Sequence, residues 1–600
     1  MYTYIINACA VPGVAMATPK WFQVRRPCPA ARPAGANTPV RCSSLPPPEP
    51  IRRSANYQPN SWSYASMESL LEAANKCDHN QADPSIFDKL KFLVRHQLLH
   101  EMELLPKLRV IDTLQRLGVA YHFDEEIRAV LNSVTMEGQD VDRMDDAHLM
   151  TLLFRLLRQN KSPTSPELLL RRLKDGKGGF KKSLREDTQG LLSLYEASHL
   201  AFGGEDILDE ARVFSTEALR ERMPLMRPHL RSSVDNALAV PLHWAAPRLQ
   251  ARWFIGHYAG DGGADQVMLR FAKIDFNNVK KLHQQELARI TRWWRNAGLN
   301  KKLPFARDRL MECFYFATGV ASEPSLAASR EVVAKAFALI VVLDDIYDIY
   351  GTLDELAVFT DAIERWEATA TELLPEYMKG IYLTIFNFSN EVAEHVQRTC
   401  GCDVRFLLKK VWHDLCKAFL LEAKWHYYSN HKPTLQEYLD NGWMSVSGPL
   451  MLLHAFPMLN EAITQNSIEQ LESHYPKLVQ MVSKIFRLCN DSATHSEELK
   501  RGDAPSSVAI YMFENRAMET NARRAMRDLT METWKIVNQD VYDKCQYPPS
   551  FANACVNMAR ISHCIYQGGD GLGAPDDGKR MEISELFLEP LKAAPDGGRH

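Results

Sequence analysis

Residues 336–351 read AFALIVVLDDIYDIYG, and this stretch limits the possible folds more than any other. Ala336 to Leu343 is wholly apolar, and Asp344, Asp345 and Asp348 then arrive within five positions. Gly351 and the capping-box pattern from Thr352 to Glu355 mark the end of one helix and the start of another. On a regular helix Asp344 and Asp348 lie at i and i+4, on one face. Two carboxylates on the rim of an apolar helix repel each other and lose hydration. An unpaired buried charge costs several kcal/mol, on the order of the effective ion desolvation penalty. A cation is therefore expected there, and hard oxygen ligands suit magnesium or manganese. A solvated acidic helix end would carry the same letters.

A second stretch favours the metal reading. Residues 488–503 read LCNDSATHSEELKRGD, and Asn490, Thr494 and Glu498 fall at i, i+4 and i+8, one stripe of a helix. The stripe offers an amide, a hydroxyl and a carboxylate, all oxygen ligands. Arg487 lies one turn earlier on nearly the same face. A cation beside metal ligands makes sense where a polyanion bridges them.

These two motifs resemble those of the plant terpene synthases, specifically the class I monoterpene synthases of flowering plants. Asp344 to Asp348 match the family's DDxxD motif, and Asn490, Thr494 and Glu498 match its second metal motif. The resemblance runs from Arg52 nearly to the end through IDTLQRLGVAYHF, EDTQGLLSLYEASHLAFGGEDILDEA, VPLHWAAPRLQARWFI and LPFARDRLMECF. It implies an all-α chain of two helical domains. Residues 52–277 would form the N-terminal α-barrel domain, and residues 278–600 the metal-binding class I terpenoid synthase domain.

Composition fits that expectation. The 600 residues, 46% hydrophobic, suffice for two sizeable cores. A net charge of -3 gives no reason to expect a nucleic-acid partner. Twelve scattered cysteines without CxxC spacing argue against a zinc site or a disulfide framework. No apolar run reaches the ~18 residues of a membrane span.

Residues 1–48 contain no Asp or Glu, five Arg or Lys, and much Ala, Pro and Ser. That is the composition of an organellar transit peptide, and the resemblance implies a plastid address for residues 1–51. Next comes RRSANYQPNSW, with Arg52, Arg53 and Trp62 in the family's RRx8W spacing. The resemblance implies that this segment folds over the active site as an N-terminal lid and is tied to cyclisation through an isomerised linalyl intermediate. Helical periodicity dominates from about Ser63 to Asn278. In DVDRMDDA, Arg143 interrupts the DxDD motif of class II cyclases, so the N-terminal domain is expected to be catalytically silent.

Arg307 and Arg309, two residues apart in LPFARDRLMECF, cannot face the same way on a regular helix, so a loop or helix start is expected. Guanidinium groups match phosphate oxygens bidentately, and the family's RxR motif implies diphosphate binding by both. The family role further implies three divalent ions and a small prenyl diphosphate substrate. Ionisation would engage Arg307, Asp344, Asp345, Asp348 and Arg487, with Arg309 and Asn490 also at the diphosphate. The allylic cation so formed needs an apolar pocket with aromatic faces. Phe316, Phe337 and Tyr566 are the candidates, with Trp293 a fourth. Ser447 and Gly448, in WMSVSGPLMLLHAF, fall at an expected helix break, where freed carbonyls could face the cation. The glycine-rich stretch after Tyr566, with Asp570, resembles the family's closing lid. Two positions depart from the family pattern: Phe316 stands where many members have Trp, and Ser506 where many have Lys.

One turn behind Asp344 lies Ile340, and two turns behind lies Phe337, bordered by Val341 and Ala336. This wall has no amide or hydroxyl to hold a water, which needs about two to four polar partners. Proton loss to an olefin, or capture at the polar mouth, is therefore expected over deep-pocket hydration to an ether such as cineole. The sequence reading is a monoterpene synthase acting on geranyl diphosphate, as monomer or homodimer. Alternatives are an acyclic linalool or nerolidol synthase, a sesquiterpene synthase using farnesyl diphosphate, a prenyltransferase, or an inactive helical binding protein.

Overall fold

The computed structural model describes residues 52–76, 84–98, 103–134, 146–428, 431–459, 461, 463–543 and 546–591. Residues 1–51, read as the transit peptide, and residues 140–145 of the DVDRMDDA stretch lie outside them. Among the described residues the fold is helical, with no strand beyond one isolated bridge between Lys174 and Phe180. Residues from Arg52 onward form one compact unit. None of the described helices is long and apolar enough to cross a membrane.

The longest helix, Gln266–Ala297, runs through the middle of the chain. Asp265 caps it through the backbone N–H groups of Val267 and Met268, and Gly298 ends it in the left-handed region at φ 64°. The sequence boundary at 277/278 falls inside this helix, at a point with no loop. The helices before it pack around Leu114, Phe123, Phe154 and Phe271, and those after it around Phe314, Val341, Leu415, Val482 and Ile561. All of these residues belong to one continuous hydrophobic core.

An aromatic and histidine seam joins early and late helices. Trp244 stacks on Trp534 at 5.6 Å and on His563 at 4.8 Å, and His199 meets Trp244 edge-on at 5.0 Å. Asn538 ties the seam: its amide donates to the carbonyls of His199 and Ala201 and its oxygen accepts from His243.

Two helices from the later half position the site. Ala327–Asp345 is buried on nearly every face, as an apolar helix must be. Arg330, near its start, is fully buried. It forms a bidentate pair with Glu286 at 2.8 Å and donates to the carbonyls of Ala321, Glu323 and Pro324. A buried cation survives only when its donors are satisfied in this way. Lys477–Arg501 lies across the cavity and stops at Gly502, whose φ of 70° allows Asp503 N–H to close onto the Glu498 carbonyl at 3.1 Å.

Candidate active site

A single cavity opens between these two helices. Asp344, Asp348, Arg307, Arg487, Asn490, Thr494 and Glu498 all line it, so the two motifs, far apart in sequence, face one space.

The aspartate helix does not run regularly through its motif. It widens into a single π turn at Ile346–Tyr350, closed by the Gly351 N–H donating to the Ile346 carbonyl at 2.8 Å. Both Asp344 and Asp348 still reach the cavity. Gly351 ends the helix as read, in an extended conformation (φ −75°). Glycine is needed there for room: a Cβ would sit 2.6 Å from Leu356 Cδ2 and 2.9 Å from the Ile346 carbonyl. The capping box of the next helix forms as read, with Glu355 N–H donating to Thr352 and Thr352 N–H to Glu355.

In each motif the acid at the second position, Asp345 or Asp491, turns inward. Asp345 is fully buried and receives the Arg307 backbone N–H at 2.6 Å and its Nε at 2.9 Å. It orients Arg307 instead of facing the cavity. Burial pushes its carboxyl up, against the pull of Arg307. Asp491 is likewise buried, accepting from Tyr438 at 3.1 Å and from the Ser507 N–H at 2.9 Å. Arg307 Nη2 also reaches Asp344 at 2.5 Å.

Acidic groups crowd the cavity mouth. Enclosure by protein, and then the charges of Asp344, Glu422, Asp503 and Glu498, hold Asp348 well above the usual carboxylate range. Burial, with Asp491 nearby, pushes Glu498 up to about 8. Glu422 was missed by the sequence reading. It stands buried on helix Arg405–Tyr427, accepting from Ser445 at 2.5 Å and Asn441 at 3.0 Å. Its only signal was one acid in the apolar run KAFLLEAKW.

This donor set fits divalent cations. The ligand atoms are hard oxygens on two facing walls, and their mutual repulsion is relieved by positive charge. Among the described residues no three His, Cys, Asp or Glu gather into a ready cage. The amide and hydroxyl of the second motif and a bridging anion would complete the coordination.

Other readings are corrected. Arg309 is buried away from the cavity, and its guanidinium donates to the carbonyls of Gly573, Asp308 and Gln58. It clamps the N-terminal segment to the loop after Tyr566 and does not line the cavity. Phe316 is fully buried behind the lining, 4.8 Å from the Phe337 ring and 5.2 Å from Phe486. Phe337, Tyr566 and the unforeseen Phe486 line the cavity. Trp293 packs elsewhere, on Trp294 and Phe388 beneath Lys335.

The helix break occurs as read: Leu435–Ser445 ends, Ser447 takes φ 71°, and Gly448–Ala455 begins. Phe337, Ile340 and Val341 give the apolar wall expected of the aspartate helix, but Ser445 and Ser447 bring hydroxyls from this break. Both are engaged, Ser447 with the Val446 carbonyl and Ser445 with Glu422. Ser506 also lines the cavity and pairs with His495 at 2.9 Å.

The N-terminal segment crosses the mouth. Arg52 forms a bidentate pair with Glu355 at 2.9 Å, between the rings of Tyr350 and Tyr377. Arg53 pairs with Asp503 at 2.9 Å and donates to the Asp348 carbonyl at 3.1 Å. Trp62 donates to Glu312 at 2.9 Å. Asp570 accepts from the Leu572 and Gly573 N–H groups, folding the glycine-rich loop against the cavity.

Two family models match the sequence: "Terpene synthase, N-terminal domain" over residues 58–238 and "Terpene synthase family, metal binding domain" over residues 295–536. A chloroplastic alpha-thujene synthase of Litsea cubeba is 41% identical over 541 residues, covering 90% of this chain and 92% of that protein. Among solved structures, a limonene synthase with 2-fluorolinalyl diphosphate superposes with a TM-score of 0.86 at 36% identity, covering 90% of this chain and 100% of that one. Isoprene synthase from grey poplar, with three Mg2+ ions and dimethylallyl-S-thiolodiphosphate, superposes at 0.81 and 40% identity, covering 89% and 99%.

Proposed function

The chain belongs to the terpene synthase family, and from that premise we propose that it is a monoterpene synthase that ionises geranyl diphosphate in the cavity between its two oxygen-ligand motifs. The observation that carries this reading is the convergence of Asp344, Asp348, Asn490, Thr494 and Glu498 with Arg307 and Arg487 on one cavity. Two arginines beside oxygen ligands for divalent cations, with aromatic faces within the cavity, match a substrate with a diphosphate head and a hydrocarbon tail.

Divalent cations, three magnesium ions as in the poplar enzyme, would be held by those five ligands and would neutralise the leaving diphosphate. Arg307, fixed by Asp345, and Arg487 would bind the diphosphate oxygens from either side. The C–O bond breaks with its electron pair leaving on diphosphate, and an allylic cation remains. Phe337, Phe486 and Tyr566 would face that cation. The Arg52–Trp62 segment and the Asp570 loop would keep water from it. Ring closure and proton loss, or capture at the mouth, end the sequence. Residues 1–51 would address the protein to plastids, as the name of the thujene synthase states for that relative. The boundary at 277/278 would then divide an α-barrel half from a catalytic half that share one long helix.

Gas-chromatographic product analysis with geranyl and farnesyl diphosphates, with and without magnesium, tests the reading. Metal-dependent C10 products from geranyl diphosphate are expected. Turnover of farnesyl diphosphate alone, or full activity in a strong chelator, would overturn it.

A further inference from the structure

Tyr57 lies in the N-terminal segment, and its ring sits inside the cavity. The sequence reading assigned nothing to it. Asn56 takes φ 50°, a left-handed conformation that Asn tolerates better than most residues, and its N–H donates to Ser54 Oγ at 3.3 Å. This turn immediately precedes Tyr57, whose side chain lines the cavity. The Arg307 guanidinium stands 4.7 Å from the centre of the Tyr57 ring, and that of Arg501 stands 6.0 Å from it. The Asp344 and Asp345 charges act on its hydroxyl. Arg307 is thus held by Asp345 and covered by the ring of a residue of the segment.

From this packing we infer that Tyr57 is a positioning residue: seating of the N-terminal segment reaches the diphosphate site through the Tyr57 ring, which fixes Arg307 for ionisation. The inference rests on the function proposed above. Without Tyr57 the Arg307 side chain keeps its Asp345 anchor but loses its stacked face. Loss of that cation–π face should lower the rate on the order of tenfold. The segment's outer latch, Arg53 on Asp503, should therefore act partly through Tyr57.

The test is a double-mutant cycle on the full chain with Arg53→Ala and Tyr57→Leu, with Tyr57→Phe as the conservative control. Wild-type turnover of geranyl diphosphate comes first, because its absence sinks the proposed function and not this coupling. Tyr57→Leu should lower kcat about tenfold with KM changed less, and Tyr57→Phe should restore most of it. The double variant should be little worse than Tyr57→Leu alone. A second readout is independent of turnover. Inorganic diphosphate with magnesium should protect the Arg53–Ser54 bond from trypsin in the wild type and in Tyr57→Phe, but much less in Tyr57→Leu. Additive rate losses, or equal protection in all three proteins, would overturn the inference.

Discussion

At the scale of single residues, the site separates acids that face the cavity from acids that organise it. Asp344 and Glu498 face it, and neither supports the core. Asp344→Ala or Glu498→Ala should cut turnover by on the order of a hundredfold or more, the scale of losing a preorganised charge contact. Melting temperature should stay within a few degrees of wild type. Joint loss of activity and fold would reassign both residues to structure. Phe337 is 3% exposed on the apolar wall. Phe337→Asn places an amide where no free polar group now stands, and gas chromatography should show a larger share of hydroxylated cyclic products. An unchanged product profile would mean that the cation never meets this wall.

At the scale of elements, the helix break at Ser447–Gly448 depends on close approach. A Cβ on Gly448 would lie 2.3 Å from Ser483 Oγ and 2.9 Å from its Cβ, both on the metal-motif helix. Gly448→Ala should destabilise the protein by about 1–3 kcal/mol through overpacking, measured by urea unfolding. Adding Ser483→Gly should recover much of that loss, whereas no recovery would locate the strain elsewhere. The same closeness explains why the break carried a readable signal: a Gly-Pro pair inside an apolar run has few other uses. The π turn at Ile346–Tyr350 carried none. Its letters IYDIY suit an ordinary helix equally well, and only packing of the following segment selects the wider turn.

At the scale of the whole molecule, the seam of His199, His243, Trp244, Trp534 and His563 links the two halves of the chain. Burial holds His199 down at about 4 and His243 at about 3. His563 accepts from Trp534 at 2.9 Å, a bond that requires a neutral acceptor nitrogen. An unfolded histidine takes up a proton near pH 6.5, whereas these stay neutral while folded. Between pH 6.5 and about 4 the unfolded state therefore binds more protons, so stability falls as pH falls. Each such histidine contributes on the order of 1.4 kcal/mol per pH unit across that window. Thermal unfolding should show a steep loss below pH 6.5, reduced by His243→Asn if that variant retains the bond to Asn538. A flat profile from pH 7 to 5 would show that the seam opens before the rest of the fold.

The sequence alone determined the helical class, the two metal-type stripes, the capping box, the helix break and the family resemblance. Each rests on local periodicity or on residue types at fixed spacing, which chain neighbours already constrain. Only the tertiary structure decided which acid of the Asp344–Asp345 pair faces the cavity, because the two differ only in what packs around them. It turned Arg309 into a clamp and Phe316 into backing for Phe337, since both depend on partners hundreds of residues away or on neighbouring helices. It also brought Tyr57, Glu422, Phe486 and Asp503 to the site. No spacing rule joins these four, and they meet only because two helices, the loop after one of them and the N-terminal segment are brought to one cavity.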